Sequence, residues 1–276
     1  MIYVITVATH NEAYFDALVK SCKNNNIDLI ILGFNEKWQG FSWRFNLINN
    51  YIKKLKDDDI VLFVDAFDVI IVDKIEEIER RFKEFNKPIV ISHENSITIE
   101  LLLYYLLYGY TEHTINAGTY IGYVYALKKL FNIVKEKYKN YSEEEFNKLD
   151  DQKILATICK NNKNFTNKYI AFDKKLYIFN TIPFKNNFEI INHFLNNTYN
   201  IKDNFDIKDN KLILKNKKYN SCIYHASGNK NINSLAFYYD LPYTNKRDKY
   251  YTNNIYNYIN NIYNYIRKIY NNNIMN

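Results

Sequence analysis

The chain has 276 residues, of which 47% are hydrophobic and 24% charged, a balance that excludes a disordered tract and suits one large domain or one domain with an appendage. The net charge of +7 would favour a polyanion or an anionic nucleotide. No nucleic-acid recognition motif accompanies it, so no specific nucleic-acid partner is expected, and the Lys excess travels with Asn, Ile and Tyr as AT-rich codons would produce.

Residues 2–7, Ile-Tyr-Val-Ile-Thr-Val, have the β-branched and aromatic content of a strand. Residues 12–22 carry Phe15, Leu18, Val19 and Cys22 at helical spacing, and residues 29–32 form a second short strand ended by Gly33. Strand, helix and strand within about thirty residues make a βαβ unit, so the sheet starts parallel. The loop at 8–11 then shares a sheet edge with whatever follows the next parallel strand. It has no G-x-G-x-x-G pattern and is not a dinucleotide fingerprint. A helix over 41–56 sets Phe41, Phe45, Ile48, Ile52 and Leu55 on one face.

The next strand organises the chain. Residues 60–64, Ile-Val-Leu-Phe-Val, read as a strand buried on both faces, and Asp65 and Asp68 come where it should end. Two carboxylates in such apolar surroundings need compensation. They either cap a turn by bonding backbone N–H groups or bind a hard divalent cation at the carboxyl edge of the sheet, and spacing alone leaves both readings open.

A helix over 75–85 and a strand over 89–92, ending at His93 and Glu94, continue the α/β alternation. The most apolar run, 99–110, contains Glu100 and is too short to span a bilayer. Residues 116–123, Asn-Ala-Gly-Thr-Tyr-Ile-Gly-Tyr, put small residues ahead of an apolar strand, as a close approach of backbone to ligand requires. A helix over 126–138 follows, then a capping box at Ser142 and Glu145. Asp150 and Asp151 precede a helical 154–159 and could simply complement its dipole. Short strands alternate with turns over 169–191, and 203–218 is a polar hairpin or loop. A last strand ends at His225, ahead of Ala-Ser-Gly-Asn-Lys. Beyond Pro242, Ile255, Ile259, Ile262, Ile266 and Ile269 form one stripe of a helix that either docks on the preceding domain or pairs in a homodimer. The three cysteines, Cys22, Cys159 and Cys222, are too scattered for a disulfide framework or a zinc site.

Five blocks, in order, carry a resemblance: Ile5-Thr-Val-Ala-Thr9, Phe63-Val-Asp-Ala-Phe-Asp-Val-Ile70, Asn116-Ala-Gly-Thr-Tyr-Ile-Gly122, Asp150-Asp-Gln152 and the turn from His225 to Lys230. Together they resemble the glycosyltransferase domain of the multifunctional procollagen lysyl hydroxylase family, over most of residues 1–243. The resemblance implies an α/β, GT-A-like fold: a Rossmann-like nucleotide-binding half, an acceptor half, and here a C-terminal helical tail over 244–276. It implies retaining transfer of glucose from UDP-glucose to galactosyl-hydroxylysine on a collagen-like polypeptide, with Mn²⁺. The alternatives are a UDP-galactose-dependent hydroxylysine galactosyltransferase and a UDP-sugar-binding module without catalysis.

By the same resemblance, Asp65, Asp68 and His225 are metal ligands, and the chemistry agrees, since two hard oxygens and an imidazole leave positions for a diphosphate. Val7, Thr9 and Phe67 match the uridine side, with Phe67 where relatives often carry Tyr. Arg44, Gly228 and Lys230 match phosphate contacts, and Asn231 is the alternative to Lys230 if the register slips by one. Glu94, Asn116, Asp150 and Asp151 match the sugar and acceptor side. No His-x-Asp iron motif occurs, so lysyl hydroxylation is not expected. With no secretory leader and no membrane span read in the sequence, the expectation is a soluble enzyme, in the cytoplasm of a host cell or in a virion.

Overall fold

The computed structural model describes residues 1–94, 115–182, 205–208, 211–215, 217–227 and 232–243. The expected tail helix, the run at 99–110 and the turn residues Gly228, Lys230 and Asn231 lie outside the described residues.

The chain alternates as expected through its first half. Strand β1 (Ile2–Val7) leads to α1 (Phe15–Asn24), β2 (Leu29–Leu32), α2 (Trp43–Ile52), β3 (Ile60–Val64), β4 (Val69–Ile71), α3 (Ile75–Glu84) and β5 (Ile89–His93). Then come β6 (Ile115–Tyr123), α4 (Val124–Lys137), α5 (Glu143–Asn147), α6 (Asp151–Asn161), α7 (Lys163–Tyr169), β7 (Ile170–Asp173) and β8 (Phe179–Thr181). A hairpin of β9 (Phe205–Lys208) and β10 (Lys211–Leu214), β11 (Ile223–His225) and α8 (Asn233–Tyr238) complete the described elements. Ser142 and Glu145 form the expected capping box on α5.

Six strands form the central sheet in the order β2-β1-β3-β6-β5-β7. The pairs β1–β2, β1–β3 and β5–β7 are parallel, whereas β6 runs antiparallel to both β3 and β5. Because strand side chains alternate, one sheet face presents Ile5, Val7, Val61, Phe63, Ile89 and Ile91 to α2, α4 and α6. The other presents Val4, Leu62, Val64 and Val90 to Leu18 and Cys22 of α1 and to Ile78 and Phe82 of α3. Every residue of β3 is buried, as its unbroken apolar run requires. The expected helical face beginning at Phe41 is corrected at one position: α2 starts at Trp43, and Phe41 is 57% exposed on the preceding loop. The hairpin at 205–214 is not simply a polar excursion, since Phe205 and Leu212 are buried against Tyr224 in a third cluster. None of the described helices is long and apolar enough to cross a membrane.

A second sheet, β4-β11-β8, sits beside the first, with β11 antiparallel to β4 and parallel to β8. Arg81 of α3 anchors the segments that lead into it. Its guanidinium donates to the carbonyls of Tyr177 and Asn220 at 2.6 Å each and to Glu77 Oε1 at 2.6 Å, and lies 4.6 Å from the centroid of the Tyr177 ring. Removing one member of such a buried network strands the others without partners. Arg81→Ala is therefore expected to cost about 3 kcal/mol in urea unfolding; a change under about 0.5 kcal/mol would show the network to be dispensable. All three cysteines are buried, and burial pushes Cys22 and Cys159 up to about 12 and Cys222 higher still. The thiolate is the reactive form, so a thiol reagent at pH 8 should leave the native chain unmodified and titrate all three sites in denaturant. Rapid modification of any one in the native chain would contradict this packing.

Candidate active site

The carboxyl ends of β1 and β3 meet the amino-terminal half of the antiparallel β6 at one sheet edge, and the candidate site is built there. Asp65 directly follows β3, and its N–H donates to the Gly118 carbonyl at 2.8 Å, extending the β3–β6 ladder by one step. Asp68 precedes β4, and its carbonyl accepts the N–H of Ala226 at 2.8 Å, so the end of β11 is tied to the same turn. His225 pairs in register with Val69 of β4 and Thr181 of β8. Backbone pairing in two sheets thus delivers two carboxylates and an imidazole to one point.

His225 Nε2 lies 3.2 Å from Asp68 Oδ1 and 3.7 Å from Asp65 Oδ2, and ligand atoms of the three residues all lie within 4.8 Å of one another. The imidazole is buried, yet neither of its nitrogens finds a well-aligned hydrogen bond among the described residues. Such an orphaned buried group is costly unless something else is to be bound. Gly118 closes the floor. A Cβ there would fall 2.5 Å from Asp65 Oδ2, 3.0 Å from His225 Nε2 and closer still to His225 Cε1. These three side chains fit a divalent cation, with oxygen and imidazole donors converging on a cradle that a single methyl group would fill.

Arg44 accounts for the remaining charge. One end of its guanidinium donates to Asp65 Oδ1 and the other to Asp151 Oδ2, while its Cζ lies 5.5 Å from the centroid of the Phe63 ring. Ser42 sets its position by donating to the Leu149 carbonyl at 2.8 Å, and Gly40 by packing on the Asn147 carbonyl at φ +122°, where a Cβ could not fit. Burial works against the charge on Arg44, but Asp151 and Asp65 outweigh it and hold the guanidinium protonated. Burial pushes Asp65 up to about 6, with Asp68 adding to the rise and Arg44 and His225 opposing it. Burial alone would lower His225; Asp68 and then Asp65 reverse the direction and raise it. The site resists carrying two bare negative charges.

A second polar group lies alongside. Glu94 Oε2 accepts from Asn116 Nδ2 at 2.9 Å and from Ser227 Oγ at 3.1 Å, and Asn116 Oδ1 accepts the Gly118 N–H at 2.9 Å. Asp150 caps α6, its Oδ1 accepting the Lys153 N–H at 3.0 Å, so its helix-start reading is realised, while Asp151 turns inward to Arg44. Val7 is buried in the core at the end of β1, and Thr9 is buried just beyond it. Phe67 is half-buried between the two aspartates and packs with Phe15 and His10. Of the residues singled out in the sequence, the structure joins Asp65, Asp68, His225, Arg44 and Asp151 in one cluster and Glu94 with Asn116 in another. Gly118 and Ser227 escaped notice as site residues. The small residues ahead of β6 were the signal for the first, and no local pattern marks the second.

A family model described as the PLOD GT domain matches residues 1–272. The Drosophila melanogaster procollagen-lysine,2-oxoglutarate 5-dioxygenase is 31% identical over 134 residues, covering 44% of this chain and 19% of that protein. The Caenorhabditis elegans multifunctional procollagen lysine hydroxylase and glycosyltransferase is 28% identical over 148 residues, covering 47% of this chain and 20% of that protein. The chain thus spans about a fifth of the length of these curated relatives. Among solved structures, a glycosyltransferase involved in glycosylating the major capsid of PBCV-1 aligns with a TM-score of 0.43 at 13% identity, over 82% of this chain and 93% of that one. The galactosyltransferase LgtC aligns with a TM-score of 0.43 at 15% identity, over 83% and 87%. The α/β fold is GT-A-like, with the parallel β2-β1-β3 half followed by the antiparallel β6. With the matched region running from the first strand past the last described residue, the chain belongs to the glycosyltransferase family of the PLOD GT domain.

Proposed function

We propose that the chain transfers glucose from UDP-glucose to galactosyl-hydroxylysine on a collagen-like polypeptide, with retention at the anomeric carbon and with Mn²⁺. The observation that carries this reading is the convergence of Asp65, Asp68 and His225 on the cradle floored by Gly118. The collagen-type acceptor rests on the name of the C. elegans relative.

Asp65, Asp68 and His225 would hold the cation, which supplies a positive charge to offset that developing on a departing diphosphate. Asp65 has its two oxygens assigned to different tasks: Oδ1 is held by Arg44, and Oδ2 faces His225. A guanidinium that fixes the carboxylate in this way orients it without occupying the ligand oxygen. The same arginine holds the buried Asp151 carboxylate, which would stabilise positive charge at the sugar ring or orient its hydroxyls. Glu94 and Asn116 would bond hydroxyls on the sugar and acceptor side, and Asp150 would contribute its free oxygen there. Val7, Thr9 and Phe67 would enclose the base, and Gly228 and Lys230 would face the diphosphate, with Lys230 acting as a point charge.

Direct Mn²⁺ titration tests the metal site. Asp65→Asn, Asp68→Asn and His225→Ala should each weaken binding by more than the roughly 100-fold that loss of an outer-shell group can cost. Gly118→Ala should weaken it by at least about 10-fold through steric exclusion alone, with the β3–β6 pairing kept. Wild-type affinity in these variants would remove the metal assignment. Turnover is tested by UDP release from UDP-glucose and UDP-galactose, each with galactosyl-hydroxylysine and hydroxylysine peptides. Release from UDP-glucose on the galactosylated peptide is expected, and release from UDP-galactose on hydroxylysine would move the assignment to the galactosyltransferase. UDP binding without release from either donor would reduce the chain to a binding module.

A further inference from the structure

Three consecutive hydrogen-bonding groups at the mouth of the site follow β1 and have no role in the metal cluster. Thr9 Oγ1 lies 2.9 Å from His10 Nδ1, and His10 Nε2 lies 2.8 Å from Glu12 Oε2. The His10 ring lies 5.5 Å from that of Phe67 at an interplanar angle of 40°, so the relay borders the aromatic side chain set between Asp65 and Asp68. The backbone beneath is fixed, because the Thr9 carbonyl accepts the Asn35 N–H at 2.9 Å and the Phe67 carbonyl accepts the Tyr14 N–H at 3.1 Å. Thr9 is buried, whereas His10 and Glu12 stand on the outer side with side chains 58% and 42% exposed.

The order of the groups decides the direction of the hydrogen bonds. An ionised carboxylate only accepts, so His10 Nε2 carries the hydrogen given to Glu12. In the neutral imidazole Nδ1 is then a lone pair, and the Thr9 hydroxyl must donate to it. The Thr9 oxygen is left with acceptor capacity alone. Of the pyrimidines, uracil has a single donor on its pairing edge, N3–H between two carbonyls, whereas cytosine has a lone pair at N3. A hydroxyl free to rotate would serve either base by donating or accepting; one committed to His10 can only accept.

We propose that Glu12 and His10 form a positioning relay that makes Thr9 an obligate acceptor and so selects uracil N3–H over cytosine N3. The inference rests on the sugar-nucleotide reading of the site and adds what sets the base. His10 acts through Thr9 and touches neither the cation ligands nor the sugar side.

The test is calorimetric titration of UDP and of CDP, each with saturating Mn²⁺, into the wild-type chain and into His10→Phe, Thr9→Val and the double variant. Phenylalanine keeps a ring beside Phe67 and removes both nitrogens. The wild type should prefer UDP by about 30-fold, in the range that one unpaired buried polar group commands. In His10→Phe the ratio should fall to within about 5-fold, because Thr9 can then rotate. Thr9→Val and the double variant should bind UDP equally, as expected when one residue acts only through the other. An unchanged UDP-to-CDP ratio in His10→Phe would overturn the relay, as would additive losses in the double variant. Equal wild-type affinity for UDP and CDP would overturn it while leaving the sugar-nucleotide site standing. A wild-type chain that binds neither nucleotide would bring down the site reading itself, and the relay with it.

Discussion

A carboxylate carried to the end of a fully buried strand must find positive charge or stay protonated, and Asp65 sets that condition for everything around it. Arg44 meets half of the requirement, and in doing so connects α2, the end of β3 and the start of α6. The other half is left to whatever lies between Asp65, Asp68 and His225. His225 contributes only part of a charge and is itself held among acids. The arrangement is stable enough to form, yet incomplete in a way that a divalent cation would complete.

This constraint explains details that otherwise look unrelated. Gly118 is a glycine because the strand opposite Asp65 must pass directly beneath the ligand atoms. Ser42 and Gly40 dock the loop before α2 onto residues 147–149, which brings the guanidinium within reach of two carboxylates that are distant in sequence. Arg81, buried on the far side of the small sheet, holds the connections from which β8 and β11 start, and β11 ends in His225. The polar interior is small, but each buried charge is tied to the backbone or to an opposite charge.

Much of this was legible in the sequence. Alternating apolar runs and amphipathic helices located the elements of the first half, and the unbroken run at 60–64 marked the strand buried on both faces. The placement of Asp65 and Asp68 at its end was visible, and the choice between turn and metal needed His225, whose approach depends on β4–β11 pairing that no local pattern encodes. The reversal of β6 was not legible, since a buried strand has the same composition in either direction. Arg44 was matched to a phosphate contact, whereas in the folded chain its donors reach Asp65 and Asp151, a pairing that arises only through tertiary contact. Phe41 satisfied helical periodicity yet lies outside the helix, because periodicity does not locate a helix start.

The distribution of the three ligand residues along the chain has a kinetic side. Asp65 and Asp68 come early, His225 comes late, and more than half of the chain lies between them. Closing so long a loop is entropically unfavourable until the central sheet and its helices have gathered the two ends. A partly folded chain therefore offers only two carboxylates, a weak and unselective site, and the third donor arrives when β11 docks against β4. An ion that favours the complete triad binds the finished fold and not its precursors, and so deepens the native basin without holding the chain in an early, incomplete one.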